Sequence, residues 1–334
     1  MAGRHRWLVL AAVAVLAAVA FLTACELDEV SLTEPEPVLV AEVYLKVGDG
    51  QDELSAFLQW TLGDPDNTEL VGASIGVMNE SGREWRLGRT VRGDCLGVEI
   101  LDDVDGICFI ARGFEDGSIV PGEHLEVRIA LPDGQTLVGG VTLPGDFQLL
   151  QPAVEGVCAL PPGELLELAW SPAEGAWAYA GETLIWGLQD ALRPLDVSVE
   201  SDSLTLQGIS IAEADTTLVF PKEFGVFDRF DLNRDLALLL QEGLPLGTEA
   251  VVVVAALERN YVNWVRGGNF NPSGAVRVPS LRGDGNGVLG AVVRREFHVI
   301  GAPPAAGIPS CLPRSGEPTV PPGFGASPSN RSSR

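Results

Sequence analysis

The residue types that most often carry out catalysis are scarce in this sequence. It contains three histidines, and neither His124 nor His298 stands in a serine–histidine pattern or a metal-binding pattern. The zinc motif H-E-x-x-H does not occur. Paired carboxylates can hydrolyse glycosides, but with 46 acidic residues their presence discriminates nothing. We therefore expect a protein that is not an enzyme, and a secreted hydrolase is the least favoured alternative.

The most suggestive group of side chains lies in residues 258–274, which read ERNYVNWVRGGNFNPSG. The candidate ligand-binding residues are Tyr261, Trp264, Arg266, Asn269, Phe270 and Asn271. Aromatic faces with amides and guanidinium groups beside them suit sugars or peptides. The alternative interpretation is that Tyr261 and Trp264 cover the end of a sandwich while the asparagines and glycines form turns.

Three further patterns resemble cofactor or metal sites. Residues 283–290, GDGNGVLG, contain G-x-G-x-x-G, but a strand-like segment follows where a dinucleotide site requires a helix, so we interpret them as a tight turn between strands. Residues 231–242 imitate a calcium loop but have Leu236 where the sharp turn requires glycine. The acidic residues at 99–105 are interpreted as a solvated tip, with weak calcium binding left open. We expect no cofactor and no assigned metal site.

The N-terminus has the layout of an export signal. Arg4 and Arg6 precede an uncharged run over residues 7–22, and the residues Leu-Thr-Ala-Cys that end at Cys25 resemble the lipobox of bacterial lipoproteins. That resemblance implies removal of residues 1–24 and acylation of Cys25, which would anchor the chain in a membrane. In the family rule, Glu26 rather than Asp after the cysteine favours the outer membrane. The alternative is an uncleaved membrane helix.

Four cysteines remain when Cys25 is set aside. An even number in an exported chain predicts disulfides, and proximity favours Cys95–Cys108, which leaves Cys158–Cys311. A zinc site is the rival interpretation, but no C-x-x-C pair exists and histidine is rare. We expect the second pair to join the start of a second domain to its end.

The formal net charge of −24 restricts the possible partners. Nucleic acid is excluded as a partner because such binding depends largely on neutralised phosphates. An acidic surface also does not lie flat on an anionic bilayer, so lipid must supply the anchor. Simple solubility is the alternative explanation of the charge.

The composition of the sequence changes along the chain in a way that predicts two β-domains. Residues 25–37 are acidic and proline-containing, which is typical of an extended tether. Short alternating apolar runs separated by turn residues then predict an immunoglobulin-like β-sandwich over residues 38–148. A second domain over residues 149–311 resembles fibronectin type III, with a core Trp170 and an aromatic strand at Tyr179. An insert at 231–243 predicts a helix that ends at Gly243, and residues 312–334 are expected to be disordered.

A wider resemblance combines these features. The lipobox, the acidic tether, the hairpin VGASIGVMNESGREWRL, the segment PGEHLEVRIALPDGQTLVGGVTLP and the closing GDGNGVLGAVV resemble uncharacterised outer-membrane lipoproteins of Bacteroidetes that are encoded beside TonB-dependent receptors. The resemblance implies an accessory binding lipoprotein at the outer membrane, on its periplasmic or surface face, that contacts such a receptor or captures its peptide or glycan nutrient. A structural or adhesive envelope lipoprotein is the alternative. No catalytic residues are carried over from that family.

Overall fold

Sixteen β-strands and a few short helices make up the described part of the chain. The computed structural model describes residues 37–49, 52–61, 68–96, 105–112, 119–154, 156–209, 214–224, 234–266, 279–305 and 307–313. The strands are β1 (Leu39–Val47), β2 (Glu53–Trp60), β3 (Ser74–Asn79), β4 (Glu84–Thr90), β5 (Ile107–Arg112), β6 (His124–Ala130), β7 (Thr136–Thr142), β8 (Leu149–Gln151), β9 (Val157–Leu160), β10 (Leu166–Trp170), β11 (Ala178–Trp186), β12 (Ser203–Ile209), β13 (Thr217–Phe220), β14 (Glu249–Leu257), β15 (Leu281–Gly283) and β16 (Gly285–Gly301). The helices are α1 (Thr68–Val71), α2 (Gly93–Leu96), α3 (Leu188–Leu192), α4 (Arg234–Glu242) and α5 (Arg259–Arg266), with a 3-10 helix at Arg193–Leu195. The chain is mostly β, as its alternating apolar pattern predicts.

Nine of the strands form a closed, barrel-like ring. Their order is β1-β2-β5-β4-β3-β6-β7-β15-β16, and β16 pairs in turn with β1. The β1–β16 pairing is parallel and runs from Leu39 opposite Gly285 to Val47 opposite Val293. Buried and half-buried residues alternate along all of β1, so its buried apolar side chains share one face of the strand. The first sandwich was expected from residues 38–148 alone, but the ring closes only with strands from the far end of the chain.

The glycine-rich segment forms a tight turn and then the start of a strand. The predicted turn between strands is present where the chain reverses at Asp284 between β15 and β16, but the rest of GDGNGVLG lies in β16, which begins at Gly285. A Cβ atom on Gly287 would lie 2.1 Å from the carbonyl oxygen of Ala41, and one on Gly285 would lie 2.4 Å from that of Leu39. Glycine is therefore required for the close approach of β1 and β16.

The second half of the chain is a two-sheet sandwich that shares β16 with the ring. The later part of β16 pairs with β14, which continues to β11 and β12, and β9 pairs with β16 on its other side. A small sheet with the strand order β13-β10-β8 forms the second layer of this sandwich. Trp170 and Tyr179 are both fully buried, with ring centroids 5.3 Å apart. The expected core position of Trp170 is confirmed.

The predicted boundary at residues 148 and 149 does not separate two independent units. Strands β15 and β16 belong by sequence to the second predicted domain, yet they pair with β7 and β1 of the first. From Val38 onward the chain clusters into one unit. The reason is the length of β16, whose 17 residues run through both sheets. The predicted tether and tail lie outside the described residues, except for Pro37, Leu312 and Pro313 at their ends.

Both predicted disulfides are present. Cys95 in α2 is bonded to Cys108 in β5, and Cys158 in β9 is bonded to Cys311 near the end of the described chain. Loops of 13 and 153 residues are closed in this way. Closure of the longer loop restricts the unfolded chain more strongly.

The helix predicted at 231–243 is confirmed as α4. Its buried residues Leu236 and Leu240 are spaced by one helical turn. The helix ends at Gly243, whose φ of 144° lies in the region that favours glycine. Asp231 and Asn233, the predicted caps, lie outside the described residues.

Arg295 in β16 joins three separate segments of the chain. Its guanidinium donates to the carbonyl of Phe147 at 3.1 Å and to the carboxylate of Asp49 at 3.3 Å, and it also pairs with Asp146. The side chain is only 21% exposed. These contacts connect the β1–β2 turn, the segment between β7 and β8, and the middle of β16.

Candidate functional site

Helix α5 carries the polar-aromatic segment, and a buried glutamate begins it. Glu258 is 5% exposed and follows directly after β14. Its carboxylate accepts the backbone N–H groups of Asn260 and Tyr261, both at 2.6 Å, and that of Ala291 at 3.4 Å. Burial raises the pKa of Glu258, and these three hydrogen bonds oppose the rise. The carboxylate thus caps α5 and ties it to β16.

The inner side of α5 packs on small residues of the large sheet. Val262 and Tyr261 contact a cluster formed by Ala178, Ala180, Ala255, Leu257 and Val292. A Cβ atom on Gly290 would lie 2.7 Å from the Tyr261 ring. The Tyr261 ring also meets Tyr44 edge to face, with centroids 5.7 Å apart. Burial raises the pKa of Tyr261, and the charge of Glu182 adds to the rise. Tyr261 is therefore mainly a packing residue, in agreement with the alternative interpretation of the segment.

An exposed aromatic side chain lies beside the start of α5. Trp177 is 45% exposed, and the guanidinium of Arg259 lies over its ring, 5.0 Å from the centroid. The backbone N–H of Trp177 donates to the carbonyl of Leu257 at 2.8 Å, which holds the tryptophan next to the end of β14. An indole face flanked by a guanidinium can stack on a sugar or a peptide side chain and also donate hydrogen bonds to it.

The sequence did not point to this pair. Trp177 stands 82 residues before Arg259, and only the pairing of β11 with β14 brings them together. The aromatic residues up to Tyr179 predict a strand of the core. The sequence there does not distinguish an exposed tryptophan from a buried one. The contact between Trp177 and Arg259 could be recognised only after the pairing of the strands was known.

The structure describes only some of the six predicted binding residues. Tyr261 is seen in full, whereas only the backbones of Trp264 and Arg266 are described, within α5. Asn269, Phe270 and Asn271 lie outside the described residues, and so does Cys25. Their grouping as a ligand site therefore stays a prediction, to which the structure adds Trp177 and Arg259 as neighbours of the same helix.

Residues 72–76, GASIG, match the nucleophile pattern G-x-S-x-G of many hydrolases. In hydrolases that serine stands on a sharp turn from a strand into a helix. Here Ser74 is the first residue of β3 and pairs with Ala130 of β6, and no helix follows it. The match therefore gives no reason to assign a nucleophile.

The described residues contain no other grouping that suggests metal or acid–base chemistry. No cluster of three or more histidine, cysteine, aspartate or glutamate side chains within them could hold a metal ion. The Nδ1 atom of His124 lies 3.0 Å from the hydroxyl of Thr142, and the ring of His298 faces Trp186 at 6.5 Å. In the same part of the chain, no helix has the length and apolar character needed to cross a membrane.

Comparisons with known proteins give a distant similarity of fold. No protein-family model and no curated protein matches the chain. Among solved structures, the chain is similar to a chain in the crystal structure of Dpr11 IG1 bound to DIP-gamma IG+IG2, at 11% identity over 80% of this chain and 100% of that one, with a TM-score of 0.18. It is also similar to the fibronectin(III)-like modules of Clostridium thermocellum CbhA, at 10% identity over 79% and 90% of the chains, with a TM-score of 0.17. The tandem V-type regions of VCBP3 match at 10% identity over 79% and 99%, with a TM-score of 0.18.

Proposed function

We propose that the protein is an accessory binding lipoprotein of the bacterial outer membrane, held there by acylated Cys25. It contacts an outer-membrane receptor of the TonB-dependent kind or captures that receptor's peptide or glycan ligand. The anchor is proposed from the lipobox resemblance and the partner class from the wider resemblance of the sequence. The observation that carries the binding role is the exposed Trp177–Arg259 pair beside α5.

A binding role agrees with how this surface is built. Glu258 and the small-residue cluster fix α5 against the sheet, so Arg259 is presented from a rigid base. A tryptophan left 45% exposed on such a base is an anchor of the kind that dominates interfaces. A structural or adhesive role in the envelope is the second candidate, and the two disulfides agree with it because such bonds are typical of proteins outside the cytoplasm.

The binding role can be tested with the full-length protein in its own membrane. The protein is purified in mild detergent, co-purifying outer-membrane receptors are identified, and its melting temperature is measured with peptide and glycan ligands. We expect Trp177→Ala to weaken a detected interaction about tenfold and Trp177→Phe to retain most of it, because the aromatic face is kept. Leu246→Ala, at another exposed apolar side chain, is the matched control and should bind normally.

Two results would overturn the proposal. One is a protein that purifies alone and whose melting no peptide or glycan shifts, with an envelope defect on gene deletion, which would favour the structural role. The other is purified protein whose mass shows that residues 1–24 are retained and Cys25 carries no acyl chain, which would contradict the lipid anchor but not the binding surface.

A further inference from the structure

A shallow cavity of about 650 Å³ lies on the outer face of the ring, away from α5. It is formed by strands β3, β4, β6 and β7, and its walls include Glu84, Glu126 and Arg128. Gly76 and Gly140 lack side chains, and the side chains of Glu84 and His124 lie over them, while exposed Met78 and Val138 supply apolar surface. All of these strands are interior members of a closed ring, so a ligand here meets side chains and not a free strand edge.

Three arginines lie in one row across this face. Reading across the strands, Arg86 pairs with Gly76, Gly76 with Arg128, Arg128 with Val138, and Val138 with Arg282. Residues directly opposite each other point to the same side of a sheet. Each arginine is therefore two strands from the next, which is about 10 Å. Among the described residues, neither Arg128 nor Arg282 has an ion pair, while Arg86 contacts Glu84 at 3.2 Å.

The row of cations stands out against the charge of the whole chain. The formal net charge is −24, yet on this face the three exposed guanidinium groups outnumber the two carboxylates of Glu84 and Glu126, so the face is locally basic. Guanidinium groups bind carboxylates with two parallel hydrogen bonds. The charge of the row therefore suits an elongated ligand that carries carboxylates at intervals.

A second row of side chains, next to the three arginines, limits what that ligand can be. Glu84 pairs with Met78, Met78 with Glu126, and Glu126 with Gly140, so two carboxylates lie beside the arginines. They would repel a densely charged polymer such as a nucleic acid or a polyphosphate. They can, however, accept hydrogen bonds from hydroxyl groups. A ligand that suits both rows is rich in hydroxyls and carries its negative charges well apart.

We propose that this face of the ring binds an acidic polysaccharide of the uronate class, lying across the strands along Arg86, Arg128 and Arg282. A chain in which every second sugar carries a carboxylate has a charge spacing similar to that of the arginine row. The sugar hydroxyls donate to Glu84 and Glu126, and the C–H faces of the rings rest on Met78 and Val138. This site does not include Trp177 or α5.

The test uses the full-length protein in detergent with an oligosaccharide of alternating glucuronate and N-acetylglucosamine as the probe, because it carries a carboxylate on every second sugar. Oligogalacturonate, which carries one on every sugar, neutral malto-oligosaccharide and poly-glutamate are the comparisons, and binding is measured by calorimetry at low and high salt. We expect the alternating oligosaccharide to bind most tightly, with an affinity that falls as salt rises. The double variant Arg128→Ala/Arg282→Ala should weaken it at least tenfold. Arg193→Ala, which removes another exposed arginine, should change it less than twofold.

Three outcomes would overturn the inference: no preference for the alternating oligosaccharide over the neutral sugar, equal binding of poly-glutamate, or full affinity in the double variant. Because Trp177→Ala leaves this site intact, loss of binding at one surface is distinguishable from loss at the other. Normal melting of the double variant, expected because both side chains are exposed, shows that a lost affinity is not lost folding.

Discussion

At the scale of single residues, two buried or half-buried glutamates have opposite electrostatic surroundings. Glu258 is surrounded by apolar groups and backbone N–H donors, and burial raises its pKa. Burial also acts to raise the pKa of Glu53, but the hydrogen bond from Arg112 and the charges of Lys46 and Arg112 outweigh it, and the pKa is lowered. Arg112 lies 2.7 Å from one oxygen of Glu53, and Lys46 lies 3.3 Å from the other.

The two glutamates should therefore give opposite pH dependences of stability. A raised folded pKa means that the folded state binds the proton more tightly, so stability falls as pH rises from about 4.3 through the folded pKa. The free energy of unfolding of the wild type minus that of Glu258→Gln should thus decrease with rising pH. For Glu53→Gln the corresponding difference should increase as pH rises from the lowered pKa to about 4.3. Urea unfolding at a series of pH values measures both, and equal slopes would contradict the assignments.

At the scale of secondary-structure elements, the two longer helices show what sequence patterns can and cannot predict. Helix α4 has leucines one turn apart and is followed by a glycine, so its own sequence predicts it. Helix α5 was not predicted because its start depends on a glutamate buried by the rest of the fold and its inner side on alanines of distant strands. For the same reason the Trp177–Arg259 pair was missed and Tyr261 was predicted to bind a ligand although it packs against the sheet.

The prediction assigned the glycines of β16 to the turn that precedes the strand, because the same residue type serves turns and close strand pairing. We expect Gly287→Ala to destabilise the protein by about 1–3 kcal/mol or more, since its new Cβ would collide with the backbone of Ala41. Gly88→Ala in β4 is the matched control, because the nearest atom to its Cβ is 3.9 Å away. Thermal or urea unfolding of both variants measures the difference. Equal stability of the two variants would contradict the close approach of β1 and β16.

At the scale of the whole molecule, Arg295 holds together segments that are far apart in sequence. Asp49, Asp146 and Arg295 span nearly 250 residues, yet they meet at one guanidinium. A two-domain division was predicted because each half has its own apolar pattern. That division could not include β16 as a strand shared by both sheets, because the alternation of apolar residues within one strand does not specify which strands pair with it.

We expect Arg295→Ala to cost about 2–4 kcal/mol, because it leaves two carboxylates and a carbonyl without their shared donor. Arg295→Lys should recover part of the loss, since one ammonium cannot reproduce the planar fork. Arg193→Ala removes an exposed pair with Asp190 and should change stability by less than about 1 kcal/mol. Calorimetric unfolding compares the three variants, and a neutral Arg295→Ala would exclude Arg295 as a stabilising junction.

The parallel pairing of β1 with β16 also determines when the chain can fold. During synthesis, β1 emerges about 250 residues before its partner, so its second edge stays unpaired until residues 285–293 arrive. Contacts this distant in sequence form slowly, and an open apolar edge in the meantime invites aggregation. The nascent protein should therefore depend on a holding chaperone until its last strand is delivered. Truncation just before β15 should yield a chain that requires the chaperone permanently.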